Sequence, residues 1–185
     1  DMLGVVLKEP IGVAALITPW NFPFLIVSQK LPYALAAGCT AVVKPSEMTP
    51  SSTVILGELL IEADIPDGVV NIVLGYGDPV GTTMCESPDV DMVSFTGSTG
   101  VGKAIVRASA GTLKKVSLEL GGKNPQVVFP DCDLDDAADA IVFGVYFNAG
   151  ECCNSGSRII VHEDIAEALT EKVVALSKKV PFGDP

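Results

Sequence analysis

The feature that most constrains this chain is a repeated alternation of short β-branched runs with longer stretches of helical period. Strand candidates fall at 12–17, 40–43, 69–73, 91–95 and 115–118, most of them rich in Val, Ile or Leu. Parallel strands covered on both faces read as near-continuous apolar runs of this kind, whereas a half-exposed strand alternates. Helix candidates at 24–37, 52–63, 79–85 and 99–110 lie between them. Strand, helix, strand repeated in this way predicts an α/β fold, a doubly wound parallel sheet with helices on both faces.

Local punctuation agrees with that reading. Asn21, a capping residue type, precedes Phe22-Pro23, and Gly38 marks the end of the first helix. After Gly121-Gly122-Lys123-Asn124-Pro125 the pattern restarts, with strands at 126–129 and 158–161 and helices at 134–148 and 165–179. We therefore place a domain boundary there, giving 1–121 and 122–185. The second part holds too little for a closed domain. With 48% hydrophobic and only 19% charged residues, the chain is apolar for a complete soluble domain. Some of its surface is expected to meet another segment or subunit, as in a dimer or tetramer.

Charge and cysteine usage exclude several function classes. The net charge is −11 and the 12 basic residues are scattered, which argues against nucleic acid or an anionic membrane as a partner. No apolar run reaches the roughly 18 residues that span a bilayer, and the start has no signal-peptide layout. Five cysteines without framework spacing predict reduced thiols and a cytoplasmic location. The single histidine, His162, has no ligand partners for zinc and reads as a solvated residue at a strand end; no metal site is predicted.

Five segments contain groups that could do chemistry, and each also has a plain structural reading. In Phe95-Thr-Gly-Ser-Thr-Gly-Val-Gly102 a strand passes into a helix. Its free N–H groups and helix dipole attract phosphate, yet such glycines serve packing equally well. Lys44-Pro45-Ser46-Glu47 follows a strand. Its Lys and Glu could bind ribose and phosphate oxygens or form a solvated ion pair. Glu119 closes a strand beside Gly121-Gly122, as a general base or a solvated carboxylate. Cys153 lies in the small-residue loop Asn148-Ala-Gly-Glu-Cys-Cys-Asn-Ser-Gly-Ser157, an activated thiolate or an inert thiol. Asn21 could donate its amide to an oxyanion or cap its helix.

In this order, T-P-W-N-F-P at 18–23, K-P-S-E at 44–47, F-T-G-S-T-G-V-G at 95–102, L-E-L-G-G-K at 118–123 and N-A-G-E-C-C at 148–153 resemble the signature segments of the aldehyde dehydrogenase superfamily. The resemblance spans essentially the whole chain. It implies a Rossmann-like dinucleotide-binding domain followed by the beginning of a catalytic α/β domain. It also implies NAD as cofactor, with NADP possible, and an aldehyde as substrate.

By that resemblance Cys153 is the nucleophile, Glu119 the base and Asn21 the oxyanion-stabilising amide. The dinucleotide contacts carry over to Ile17, Thr18, Pro19 and Trp20, to Lys44, Ser46 and Glu47, and to Gly77 and Gly81. Phe95, Gly97, Ser98, Val101, Leu120 and Gly121 complete them, with Ser98 meeting the pyrophosphate. Substrate-tunnel candidates are Phe22, Gln29, Phe147, Cys152 and Asn154. Glu119 disfavours the acyl-CoA-forming branch, and Glu47 would repel a 2′-phosphate, favouring NAD.

The chain departs from the family pattern in two ways. Glu151 stands where Gln is usual, setting negative charge beside the thiol, and Cys152 is a second, adjacent thiol that reads as a pocket wall. Family members also extend well beyond both ends of this sequence, including a Glu-x-Phe-Gly-Pro segment that holds the nicotinamide ribose. The 185 residues alone are therefore expected to be inactive.

Overall fold

A computed structural model describes residues 2–184. The chain divides into two compact units between Leu120 and Gly121. The first unit contains β1 (Val13–Ile17), α1 (Pro23–Ala36), β2 (Thr40–Lys44), α2 (Ser51–Glu62), β3 (Val70–Ile72), α3 (Thr82–Glu86), β4 (Met92–Gly97), α4 (Thr99–Ser109) and β5 (Lys115–Leu120). Its strands form one sheet in the order β3-β2-β1-β4-β5, and every pairing is parallel. The predicted doubly wound α/β architecture is what the structure shows.

Alternation along β1 and β4 divides the core between the two sheet faces. Ala15, Ile17, Val93 and Phe95 pack with Met84, Cys85 and Ile105 from α3 and α4. Ala14, Leu16, Ala41 and Val43 pack with Val27 and Leu31 from α1. Val27, Val43 and Val93 are fully enclosed, each such side chain contributing about 1.5–3 kcal/mol by leaving water. The second unit pairs β6 (Pro125–Val128) with β7 (Arg158–Val161) in parallel. Val128, Ala138, Ile141 and Leu169 close a small core beneath α5 (Leu134–Tyr146) and α6 (Ala166–Ser177).

Three local expectations are corrected. The N-cap position of α1 is Phe22, not Asn21, and the Phe22 side chain makes no capping bond; Pro23 occupies the first turn, where its missing N–H costs nothing. The helix expected at 79–85 is regular only from Thr82, because Asp78 is extended (φ −114, ψ 126) and a single π-turn spans Gly77–Gly81. The helix expected to reach 148 stops at Tyr146, since Asn148, Ala149 and Gly150 all take positive φ, which no α-helix accommodates. His162 is exposed directly after β7 and accepts a bond from the Asp164 N–H through Nδ1.

Gly102 shows why a glycine sits inside α4. A Cβ there would lie 2.8 Å from Leu120 Cδ2 and 3.1 Å from Cδ1, so α4 approaches β5 as closely as it does only without a side chain. Gly102→Val is expected to destabilise the protein by about 1–3 kcal/mol through overpacking, read by chemical denaturation. Unchanged stability would show that the interface has slack.

Candidate active site

The crevice of an open parallel sheet lies outside the carboxyl ends of its strands, where the winding reverses. Here that point lies between β1 and β4, with Ile17 opposite Phe95. The next residues, Thr18 and Thr96, are both buried, and neither hydroxyl has a hydrogen-bond partner. Buried hydroxyls nearly always find a partner, and this pair is closed off from solvent at the crevice floor, as the hydroxyls of Ser52, Thr53 and Ser109 are elsewhere among the described residues.

Two motif segments join beside it. The Thr18 N–H donates to the Lys44 carbonyl at 3.1 Å, and Thr49 Oγ1 donates to the Trp20 carbonyl at 3.1 Å. Lys44 is almost wholly buried, donates to the Pro45 carbonyl at 3.1 Å, and lies 3.5 Å from Glu47 Oε2. The solvated ion pair that the sequence left open is thus only half right: Glu47 is exposed, but the ammonium is enclosed because β2 carries Lys44 into the crevice. Ser46 is buried, with Oγ accepting from the Met48 N–H at 3.3 Å. Gly81 also borders this site, since a Cβ there would come within 3.9 Å of Lys44 Cδ, whereas Gly77 is exposed with no such neighbour. Pro19 is half-buried.

At the end of β4, Ser98 is the N-cap of α4, its Oγ accepting from the Val101 N–H at 3.3 Å. The packing reading of this motif holds. Gly102, and Gly97 against the Phe95 ring, are sterically required, while Ser98, Thr99 and Gly100 are exposed with open N-terminal backbone. Leu120, at the end of β5, packs against the α4 side of the sheet.

Register places Glu119 opposite Thr96 and Ser117 opposite Ser94. These four residues share the sheet face that α1 covers, the opposite face from Phe95 and Leu118. Lys30 of α1 reaches onto this polar strip, donating from Nζ to Ser94 Oγ at 2.7 Å. Burial pulls the Lys30 pKa below its ordinary value of 10.5, and the charge of Glu119 opposes that shift. Glu119 itself is exposed. Asn21 and Phe22 are half-buried, and Gln29 is exposed on α1.

In the second unit, the positive-φ turn at Asn148, Ala149 and Gly150 delivers the chain into the thiol loop. Ala149 in this region is strained, of order 1–2 kcal/mol. Cys153 is exposed and all five cysteines are free. Cys152 donates to the Phe147 carbonyl at 3.3 Å, and its thiol pKa is raised by burial first, then by Cys153 and Glu151. The loop is pinned by three side chains: Asn124 Nδ2 to the Cys153 carbonyl at 3.0 Å, Gln126 Nε2 to the Gly156 carbonyl at 2.8 Å, and Ser155 Oγ to the Gly144 carbonyl at 3.1 Å. A cleft of about 280 Å³ opens among Asn124, Gln126, Phe143, Phe147, Cys152 and Asn154. It gathers three of the tunnel candidates, Phe147, Cys152 and Asn154; Phe22 and Gln29 belong to the first unit.

Comparison with known proteins decides what this assembly belongs to. The sequence model of the aldehyde dehydrogenase family matches residues 1–185. The chain belongs to that family. It is 50% identical over 180 residues to the peroxisomal aminoaldehyde dehydrogenase 1 of Pisum sativum, covering 97% of this chain and 36% of the relative. To the betaine aldehyde dehydrogenase of Bacillus subtilis it is 47% identical, covering 100% of this chain and 38% of the relative. Among solved structures, the NAD-dependent aldehyde dehydrogenase of Sinorhizobium meliloti superposes with a TM-score of 0.93 at 58% identity, over 96% of this chain and 35% of that one. The betaine aldehyde dehydrogenase of Staphylococcus aureus, solved in complex with NAD+, gives 0.92 at 44% identity, over 95% and 35%. The chain thus spans little more than a third of the length of these family members.

Sequence reasoning missed Lys30, Asn124 and Gln126. A signal existed for the lysine, since Lys30 lies between Val27 and Leu31 on the buried stripe of α1, where an unpaired cation is costly. The amides carry no such signal, because their targets are main-chain carbonyls about 30 residues away. Lys30 also gives a pH test. Its pKa is lower folded than unfolded, so the unfolded chain binds more protons and stability rises with pH towards 10.5. The stability of the wild type minus that of Lys30→Met is therefore expected to grow between neutral pH and that value, measured by denaturation at several pH values. A flat difference would remove the burial account.

Proposed function

We propose that the protein carrying this chain oxidises an aldehyde to a carboxylic acid with NAD, using Cys153, Glu119 and Asn21. The observation that supports it most directly is the exposed Cys153 thiol on a loop pinned by side-chain hydrogen bonds, in a chain of this family. An ordinary core cysteine is buried and needs no such scaffold.

The first unit fits a dinucleotide. The Lys44 ammonium and the capped start of α4 offer donors at the β1/β4 reversal, where backbone N–H groups suit pyrophosphate. Ile17, Thr18, Pro19, Trp20, Lys44, Ser46, Glu47, Gly77, Gly81, Phe95, Gly97, Ser98, Val101, Leu120 and Gly121 are the residues we assign to holding it. Glu47 carries its negative charge at the exposed rim, which disfavours a 2′-phosphate and supports NAD over NADP. When bound, NAD supplies the hydride acceptor of the reaction.

The chain's own residues perform the remaining chemistry. The Cys153 thiolate adds to the aldehyde carbonyl, and the oxyanion so formed accepts from the Asn21 amide and the Cys153 N–H. Once oxidised, the acyl group rests on Cys153 as a thioester. Glu119 takes a proton from the water that attacks it, releasing the acid and the thiol. Phe147, Cys152 and Asn154, which line the cleft beside the thiol loop, with Phe22 and Gln29, are assigned to the substrate wall. We assign residues 1–121 to dinucleotide binding and 122–185 to the catalytic domain, and expect these 185 residues alone to be inactive.

Free thiols throughout support a reducing compartment such as the cytoplasm. Exposed Val54, Ile55, Leu59 and Ile61 along α2 support association into an oligomer. No helix among the described residues is long and apolar enough to cross a membrane.

Cys153→Ser in the whole protein is expected to lower kcat at least about 10³-fold, as losing a catalytic nucleophile does, with NAD affinity by calorimetry unchanged. Persistent turnover would overturn the assignment. NAD binding without turnover in the wild type, on any aldehyde, would instead favour a binding module.

A further inference from the structure

Asn124 and Gln126 are two residues apart at the start of β6, so their side chains leave the same side of the strand. Both aim at the thiol loop and both donate to main-chain carbonyls there, at Cys153 and Gly156. A carbonyl only accepts, so each side chain must turn its nitrogen toward the loop. Asn124 is doubly engaged, because its own carbonyl accepts from the Arg158 N–H at 3.3 Å where β7 begins. Packing completes the arrangement. A Cβ at Gly156 would collide with Gln126 at 2.5 Å, and one at Gly144 would press on it at 3.1 Å, so glycine at both positions makes room for the amide.

We propose that Asn124 is a positioning residue for Cys153, its amide holding the Cys153 carbonyl so that the thiol is presented in one orientation. Fixing that carbonyl fixes the plane of the peptide after Cys153, hence ψ of Cys153, one of the torsions that aim its Cα–Cβ bond. Gln126 secures the far end of the same loop. Without the Asn124 bond the loop keeps its Gly156 and Ser155 anchors, so the unit stays folded while the thiol samples unproductive directions. This inference rests on the reading of Cys153 as nucleophile, but the bond and its effect on the thiol can be tested separately from turnover.

Asn124→Ala removes the donor. Asn124→Asp keeps the shape and, ionised, has no donor either. In the whole protein, alkylation of Cys153 by iodoacetamide is followed at a pH where the thiol is fully ionised, with the modified residue located by peptide mass, alongside kcat and the Kd for NAD. We expect both variants to alkylate Cys153 roughly 10-fold more slowly and to lose between about 10- and 100-fold in kcat, the scale set by misplacing a reacting group, with the Kd for NAD unchanged. Should Asn124→Ala fail to fold, the isosteric Asp variant carries the test. Wild-type alkylation and kcat in Asn124→Asp would overturn the proposal, as would an equal loss of NAD affinity, which would reveal general structural damage. If Cys153→Ser retained turnover, the nucleophile reading would fall while the alkylation rates still reported on the clamp.

Discussion

The parallel pairing of β1 with β4 is the constraint on which the first unit depends. The chain winds from β1 outward through β2 to β3 on one side, then returns to lay β4 and β5 on the other. With right-handed crossovers this reversal sends α1 and α2 to one face and α3 and α4 to the other, as the two core clusters record. It also leaves a crevice at the carboxyl ends of β1 and β4, where Thr18 and Thr96 lie buried without partners. A slip of one residue in this register would turn Ser94 and Thr96 into the α3/α4 core and bring Val93 and Phe95 against α1. The positions of Lys30, Glu119 and the two threonine hydroxyls therefore follow from one strand register.

The same register explains how a hydrophobic sheet tolerates a polar site. On the α1 side, β4 and β5 present Ser94, Thr96, Ser117 and Glu119, while on the α4 side they present Val93, Phe95, Leu118 and Leu120. Each face thus keeps a uniform character. Lys30 on Ser94 gives the polar strip a donor, and the Glu119 charge offsets part of the cost of burying its ammonium.

Much of this was legible in the sequence. Strand runs such as 40–43 are short, largely β-branched and set between longer stretches of helical period, so type and order emerge from periodicity alone. The motif ends could be placed because chemistry at strand ends follows from the fold class. What could not be read depends on tertiary context. The helix expected to reach 148 ends early because Asn148, Ala149 and Gly150 take left-handed backbone, and Ala149 gives no propensity signal for it. The Asn21 cap reading failed because the chain enters α1 one residue later, at Phe22. The amide anchors of the thiol loop were invisible because each joins a side chain to a carbonyl that only folding brings near.

The account stands on Cys153 carrying the acyl group and Glu119 releasing it. The most direct measurement is peptide mass spectrometry of the whole protein bearing Glu119→Gln, quenched with acid seconds after mixing with an aldehyde and NAD. The account predicts that the variant accumulates an adduct on Cys153 with the mass of the aldehyde less two hydrogens, while the wild type shows little. An adduct on another cysteine, or acid released at the wild-type rate with no adduct on Cys153, would contradict it.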